Sequence, residues 1–264
     1  MAGEPTRLSA AELGRNSGAV AHFPYWKRIL DLTFIIVTLP AWLPLMLLLM
    51  AVVRLSSSGP IFYRQERVGY QRKRFMIFKF RTMYVNAETR THEDYFASLM
   101  RADVPMTKLD AAGDSRLIPG ARFLRASGLD ELPQIFNVLF GDMSLVGPRP
   151  CLPAEFNRYE AWQQRRVNAP PGLTGYWQVN GKNKTTFNQM VFMDLFYIDK
   201  MSLWRDLGII LKTIPVLVSE SVEALKRYRT RAMSRSPHVI PQPAAVVPRY
   251  NAAAESSRNG AHQR

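Results

Sequence analysis

The sequence predicts a mainly helical chain with a few short strands, held at a membrane by one apolar helix near its start. Three observations predict it. Residues 32–53 are 22 consecutive positions without a formal charge. On either side of Gly69, stretches of strand length alternate polar and apolar residues, imperfectly. Three later segments, 86–103, 121–140 and 187–231, carry apolar residues at helical spacing. At 264 residues, 47% hydrophobic and 21% charged, the chain is long and apolar enough to bury a core. Disorder throughout, collagen and a coiled-coil rod are excluded by that composition. Cys151 is the only cysteine, which excludes a disulfide framework.

The elements follow in order. Residues 1–25 are mostly small and polar and read as a flexible leader. They do not make a signal peptide, because the apolar run begins too late and is too long. The run, placed in a helix over 26–54, suffices to cross a hydrocarbon core of about 30 Å. A soluble core helix is the plainer reading of the same residues. Lys27 and Arg28 before the run and Arg54, Arg64 and Arg67 after it draw both ends to one side of a membrane. Pro40 and Pro44 lie near its middle and can bend it. A re-entrant hairpin and a straight span both remain open on these residues.

Residues 60–63 and 74–81 are expected to be short strands, with Gly59 and Gly69 at turns. A helix is expected over 86–103. A second helical region, 121–140, breaks at Ser127-Gly128. Residues 155–167 read as an exposed helix, and 168–184 as a loop rich in Pro and Gly. From 187 to about 231 the pattern is helical, with interruptions near Met201-Ser202 and Pro215. Within it Trp204, Leu207, Ile210, Leu211 and Ile214 form a stripe that suits either lipid headgroups or core packing. Residues 232–264 have no periodicity and read as a disordered basic tail.

Formal charge is +14, with a pI near 10.2, which calls for an anionic partner. Residues 54–81 carry eight basic residues against one acid, and 221–264 carry eight against two. The body between them is neutral. Nucleic acid is therefore disfavoured as a partner, and a phospholipid surface favoured.

Asp130 and Glu131 are the first candidates for chemistry. They follow the Gly128 break and precede a helix with Leu132, Ile135, Phe136 and Leu139 on one face, and Pro133 suits its first turn. A carboxylate there stays anionic, can attack phosphorus, and can hold a divalent cation beside its neighbour. Plain helix capping is the competing reading. Arg125 and Arg149 flank the pair in sequence, the latter fixed between Pro148 and Pro150, and guanidinium groups suit phosphate. Gly172-Leu173-Thr174-Gly175 could bring backbone donors to a phosphate. The four histidines lie outside these clusters, so zinc and Cys-His chemistry are not expected.

Several strings carry a resemblance. They are Lys27-Arg28-Ile29-Leu30-Asp31, the stretch Pro60 to Gly69, Phe78-Lys79-Phe80-Arg81-Thr82-Met83, the stretch Leu129 to Val138, the stretch Gly141 to Pro150, Pro171 to Gly175, and Trp177-Gln178-Val179-Asn180-Gly181. In this order, over roughly residues 26–220, the chain resembles the bacterial sugar transferases, the monotopic phosphoglycosyl transferases that prime surface polysaccharide on undecaprenyl phosphate. The resemblance implies an α+β, mainly helical fold: a re-entrant membrane helix and a catalytic domain over 55–231, on the cytoplasmic face of the bacterial inner membrane. It implies transfer of a hexose-1-phosphate, glucose or galactose, from a UDP-sugar, with UMP leaving and a covalent phosphosugar on Asp130. Glu131 would hold Mg2+ beside Asp130, and Arg125, Arg149, Lys79 and Arg81 would contact phosphate. Exopolysaccharide or O-antigen assembly would follow. An N-acetylamino sugar, or a catalytically silent scaffold, are the alternatives. Two positions depart from the family pattern, Leu39 where Ser often precedes the bending Pro, and Lys182 where Arg is usual. Oligomeric state stays open.

Overall fold

Tyr25–Ser56 form a single helix, α1, with Pro40 and Pro44 inside it. The computed structural model describes residues 23–85, 105, 116–182 and 184–233. The leader up to residue 22, the helix expected over 86–103 and the tail from residue 234 lie outside the described residues. The chain divides into two units after Arg227, and the architecture below is that of the first.

The buried residues of α1 are Lys27, Asp31, Ile35, Trp42, Met46, Leu49 and Val53. They recur at three, four and seven positions, so one stripe faces the protein on both sides of the prolines. Beyond that stripe the helix stays uncovered, with only 17% of its most apolar window buried. A core helix of a soluble protein would be mostly covered. Ile36, Val37, Leu47, Leu48 and Leu55 are exposed instead, on a helix long and apolar enough to cross a membrane. Trp42 sits on the stripe just after Pro40. Its indole Nε1 donates to the Ile35 carbonyl at 2.9 Å, and its ring meets Phe136 edge-on.

Each half of α1 is tied to the same body. On the first half, Lys27 is fully buried in an ion pair with Asp206 and donates to the Tyr197 hydroxyl at 2.9 Å. Asp31 Oδ1 accepts from Ser144 Oγ and from the Leu145 amide, both at 3.0 Å. Arg28 donates to the carbonyls of Val138 and Leu139, the last turn of a later helix, where a cation also offsets the helix dipole. On the second half, Met46, Leu49 and Val53 join the main apolar core with Ile77, Phe80, Val138 and Leu145.

After α1 comes an antiparallel hairpin, β1 (Phe62–Val68) and β2 (Arg74–Phe80), with Arg67 opposite Phe75, Gln65 opposite Ile77 and Tyr63 opposite Lys79. Opposed residues share a face, so the row Phe75–Ile77–Lys79 and its partner Arg67 point inward together. The strand at 60–63 was expected to be shorter and begins later. The left-handed residues of its turn are Gln71 and Arg72 (φ 52° and 64°), not Gly69, whose φ is −114°.

Three short helical pieces follow: α2 (Ala121–Ser127), a 3-10 turn (Leu129–Gln134) and α3 (Ile135–Phe140). Asn137 of α3 is fully buried and extends the sheet with its side chain. Its Oδ1 accepts from the Phe78 amide at 3.0 Å and its Nδ2 donates to the Met76 carbonyl at 2.7 Å. That pair of bonds sets the 3-10 turn against β2. Next, β3 (Ser144–Val146) runs parallel to β4 (Gly172–Thr174). A Cβ on Gly172 would lie 2.0 Å from the Gly147 nitrogen, so only glycine permits this approach.

The helix expected over 155–167 is three pieces, α4 (Pro153–Phe156), α5 (Ala161–Gln164) and a 3-10 turn over 165–168, and it is not an exposed face. Tyr159, Gln163 and Arg166 are buried in it. Tyr159 packs on Phe187, in a second apolar cluster with Trp177, Met190, Val191 and Leu195. The loop expected over 168–184 contains β4 and the helix α6 (Tyr176–Asn180). Then come α7 (Phe187–Asp199) and α8 (Leu203–Met233), separated near Met201-Ser202 as expected. Pro215 does not interrupt α8, which runs through it at an exposed position. The stripe on α8 serves two environments. Ile209 is buried and Ile210 packs on the core, whereas Trp204, Leu211 and Ile214 stay exposed.

Candidate active site

Gly128, at φ 72°, ends α2 in the left-handed region and starts the 3-10 turn that carries Asp130 and Glu131. The expected first turn of an α-helix is thus a 3-10 segment. Pro133 lies within it, and α3 begins only at Ile135. Both carboxylates are half-buried in its first turn.

Glu131 is bound from the hairpin and from the loop after β3. Its Oε1 accepts from Lys79 Nζ at 2.6 Å and lies 3.8 Å from Arg149 Nη1. Burial works to raise its pKa, but the charges of Lys79 and Arg149 and the Lys79 hydrogen bond outweigh burial. The carboxyl is therefore held well below the usual glutamate range. Burial, with Arg149 and Arg67 beside it, lowers the Lys79 pKa, against the pull of Glu131 and Asp130. Asp130 precedes Glu131 in the same turn.

Arg149 is aimed by its backbone. The carbonyl of Pro148 accepts from the Gly172 amide at 2.9 Å, that of Arg149 from Arg166 Nη2 at 3.2 Å, that of Pro150 from Arg67 Nη1 at 3.1 Å, and that of Cys151 from the Val68 amide at 2.9 Å. Arg166 is itself fixed by a buried ion pair with Asp194 at 2.6 Å and by the Tyr159 hydroxyl at 2.9 Å. Four consecutive carbonyls are occupied, and the Arg149 side chain projects from a fixed segment.

Lys79, Glu131 and Arg149 line one cleft, with Arg67, Gln134 and Gln178 on its other walls. Three cations on the walls face one carboxylate, an excess that favours an anion such as phosphate.

Of the residues expected at the site, the structure brings together Lys79, Glu131 and Arg149, with Asp130 adjacent. It does not bring Arg81. That guanidinium is buried and donates to the Pro60 carbonyl at 2.7 Å, to Ser57 Oγ at 3.0 Å and to the Ser57 carbonyl at 2.8 Å, joining the end of α1 to β2. Arg125 lies half-buried in the last turn of α2, off the cleft wall. The Gly172 amide is occupied by Pro148, so it does not serve as a phosphate donor. Lys182 pairs with Glu220 of α8 at 2.8 Å. The sequence reading gave Arg67 and Gln178 no role in the site. The signal for Arg67 was its strand parity with the inward row, legible only once the hairpin register is known.

No cluster of three or more His, Cys, Asp or Glu side chains occurs among the described residues. Mg2+ does not need one, since it takes one or two carboxylates and completes its shell with phosphate oxygens and water. Lys79 and Arg149 both approach Glu131 through Oε1, so Oε2, with a carboxylate oxygen of the neighbouring Asp130, is what would hold it.

Replacing Lys79 by Met is expected to lower kcat/KM by roughly 10²–10³-fold, the scale for one lost charge-stabilising donor. It should also raise the Glu131 pKa and move the acid limb of the pH–rate profile upward, which a profile from pH 4 to 8 checks. The sign for stability follows from the same depression. The Glu131 contribution is fully present above the ordinary glutamate value of 4.5 and is lost as pH falls below it towards the folded pKa.

Residues 22–220 match the family described as bacterial sugar transferase. The chain belongs to that family. It is 38% identical over 192 residues to the exopolysaccharide production protein ExoY of Sinorhizobium fredii, covering 72% of this chain and 84% of the relative. It is 39% identical over 201 residues to a UDP-glucose:undecaprenyl-phosphate glucose-1-phosphate transferase of Caulobacter vibrioides, covering 73% and 70%. To the undecaprenyl-phosphate galactose phosphotransferase of Salmonella typhimurium it is 37% identical over 200 residues, covering 74% and 40%. The chain thus spans about two fifths of the length of that last relative. As a bacterial sugar transferase with these relatives it is a phosphoglycosyl transferase by class.

Proposed function

We propose that the protein transfers a hexose-1-phosphate, of glucose or galactose, from the UDP-sugar to undecaprenyl phosphate, releasing UMP and starting exopolysaccharide or O-antigen assembly. One observation carries the reading. The Lys79–Glu131–Arg149 cluster lines an anion-seeking cleft, with Asp130 next to Glu131 in the chain, in a family whose relatives are named for UDP-glucose, galactose and the undecaprenyl carrier.

The chemistry divides into two displacements. An Asp130 carboxylate oxygen attacks the phosphorus that bears the sugar. The bond from that phosphorus to the bridging oxygen breaks, and its electron pair leaves on UMP. A phosphate oxygen of undecaprenyl phosphate then attacks the same phosphorus, and the Asp130 carboxylate departs. Lys79 and Arg149 offset the charge on the phosphoryl oxygens, and Glu131 holds those two cations in place. Mg2+, held by Glu131 with Asp130, would supply neutralisation of the diphosphate charge.

A water-soluble donor and a lipid acceptor meet only at a membrane surface, and α1 supports that placement. If straight, its 32 residues would measure about 48 Å, well beyond a hydrocarbon core of about 30 Å. Both halves are packed on one body, and the prolines lie between. A re-entrant helix that dips into the cytoplasmic leaflet of the inner membrane accounts for all three. The exposed Trp204, Leu211 and Ile214 of α8 suit the same surface.

Purified protein in nanodiscs with undecaprenyl phosphate and Mg2+ is tested for UMP release from UDP-glucose, UDP-galactose and UDP-N-acetylglucosamine separately. Release from either of the first two is expected. Release from the third alone would replace the sugar. Silence with all three, from folded protein, would overturn the reading.

A further inference from the structure

Two residues that line the cleft each carry a buried polar atom without a hydrogen-bond partner. Arg67, only 8% exposed, uses Nη1 on the Pro150 carbonyl and Nη2 on Gln65 Oε1, at 3.1 and 2.6 Å. Its Nε is buried with no hydrogen-bond partner. Gln178, on α6, donates from Nε2 to the Leu173 carbonyl at 3.3 Å, which fixes which way round its amide sits. Its Oε1 is likewise buried with no partner. Both residues line the same cleft as Lys79, Glu131 and Arg149. The space for that Gln178 oxygen depends on Gly175, where an added Cβ would lie 2.9 Å from it. Buried polar groups are ordinarily hydrogen-bonded, and an unpaired donor and an unpaired acceptor in one cleft point to a ligand that supplies both partners.

Phosphate does not. Its oxygens only accept when ionised, so one facing Gln178 Oε1 would set acceptor against acceptor. A hydroxyl both donates and accepts. In a nucleotide sugar the hydroxyls nearest the reacting phosphorus belong to the sugar, which is bonded to that phosphate through one oxygen. The ribose and uracil lie a further phosphate away.

We infer that Arg67 and Gln178 bind hydroxyls of the transferred hexose and set which sugar is accepted. This rests on the proposed phosphoglycosyl transfer. A site built to hydrogen-bond a hydroxyl rejects analogues that lack it far more strongly than an apolar pocket discriminates by size.

The test measures binding, so that it does not depend on turnover. UDP-glucose, UDP-galactose, their deoxy analogues and UMP are titrated calorimetrically into the full chain and into Gln178→Met, which removes the acceptor at similar volume. Gln178→Met is expected to weaken the favoured UDP-hexose about tenfold or more while UMP affinity changes less than twofold. The penalty for one deoxy position, present in the wild type, should shrink in the variant. Equal weakening of UMP and UDP-hexose would assign Gln178 to the nucleoside and overturn the inference, as would unchanged affinity for every donor. Arg67→Lys gives the second arm where Gln178→Met does not fold. Arg67 Nη1 also holds the Pro150 carbonyl beside Arg149, so UMP binding weakens too, and the expected result is a shrunken deoxy penalty, while a penalty kept at its wild-type size overturns the inference. UMP release by the wild type, measured in parallel, reports separately on the proposed reaction.

Discussion

Asp130→Asn is expected to abolish UMP release, lowering the rate by roughly 10⁴-fold or more, the scale seen when a covalent nucleophile is removed. The amide has almost the same shape, and the Lys79–Glu131 contact of 2.6 Å does not involve it. The variant should therefore fold and still bind UMP. What it loses is the anionic oxygen that attacks phosphorus. Glu131 is a poor substitute, because its Oε1 is held by Lys79 and Arg149 and a carboxylate so stabilised is a weak nucleophile. UMP release and thermal unfolding, measured on the same preparation, separate lost chemistry from lost fold. A rate within tenfold of wild type would mean that the lipid phosphate attacks the donor directly.

Asp194→Ala should be the most damaging substitution for stability away from the cleft. Asp194 is 2% exposed, and its Oδ2 receives Arg166 Nε at 2.8 Å and Nη2 at 2.6 Å. Removing one partner of a buried ion pair leaves the other charge uncompensated, at a cost of about 3–5 kcal/mol. For a folded unit of this size the melting temperature should fall by roughly 10 °C, at about 2–4 °C per kcal/mol. Activity should fall as well, because Arg166 Nη2 donates to the Arg149 carbonyl at 3.2 Å and so helps aim the Arg149 side chain. The double variant Asp194→Leu with Arg166→Leu, which removes both charges, should recover most of the stability but not the activity. Thermal unfolding in detergent beside UMP release measures the two effects.

Local chemistry made some of the fold readable in advance. The apolar run, the prolines within it and the flanking cations mark α1, because a long uncharged stretch has few other uses. Gly128 and Gly141 mark breaks on either side of the acidic pair, and both adopt left-handed backbone. The proximity of Lys79 to Glu131 was not readable from spacing, since it joins residues 52 positions apart through the β1–β2 register and Asn137. Arg81 shows the opposite error. It stands two residues from Lys79 in the same string, yet β2 ends at Phe80 and the chain turns its guanidinium to Ser57 and Pro60. The segment 155–167 looked exposed because Arg166 and Gln163 are polar, and only the tertiary partners Asp194 and Asn188 explain their burial. Pro215 was read as an interruption although α8 accommodates it at an exposed position. Arg67 and Gln178 were named in the sequence for other reasons, and their place in the cleft was not legible because unpaired buried atoms are a property of packing, not of sequence.

A phosphosugar carried on Asp130 would show in the intact-protein mass after incubation with UDP-sugar and Mg2+ in lipid without undecaprenyl phosphate, followed by peptide mapping. One hexose phosphate per chain is expected, on the peptide that contains Asp130, and lost when undecaprenyl phosphate is added. UMP formed only when the lipid acceptor is present, with no adduct at any residue, would contradict it.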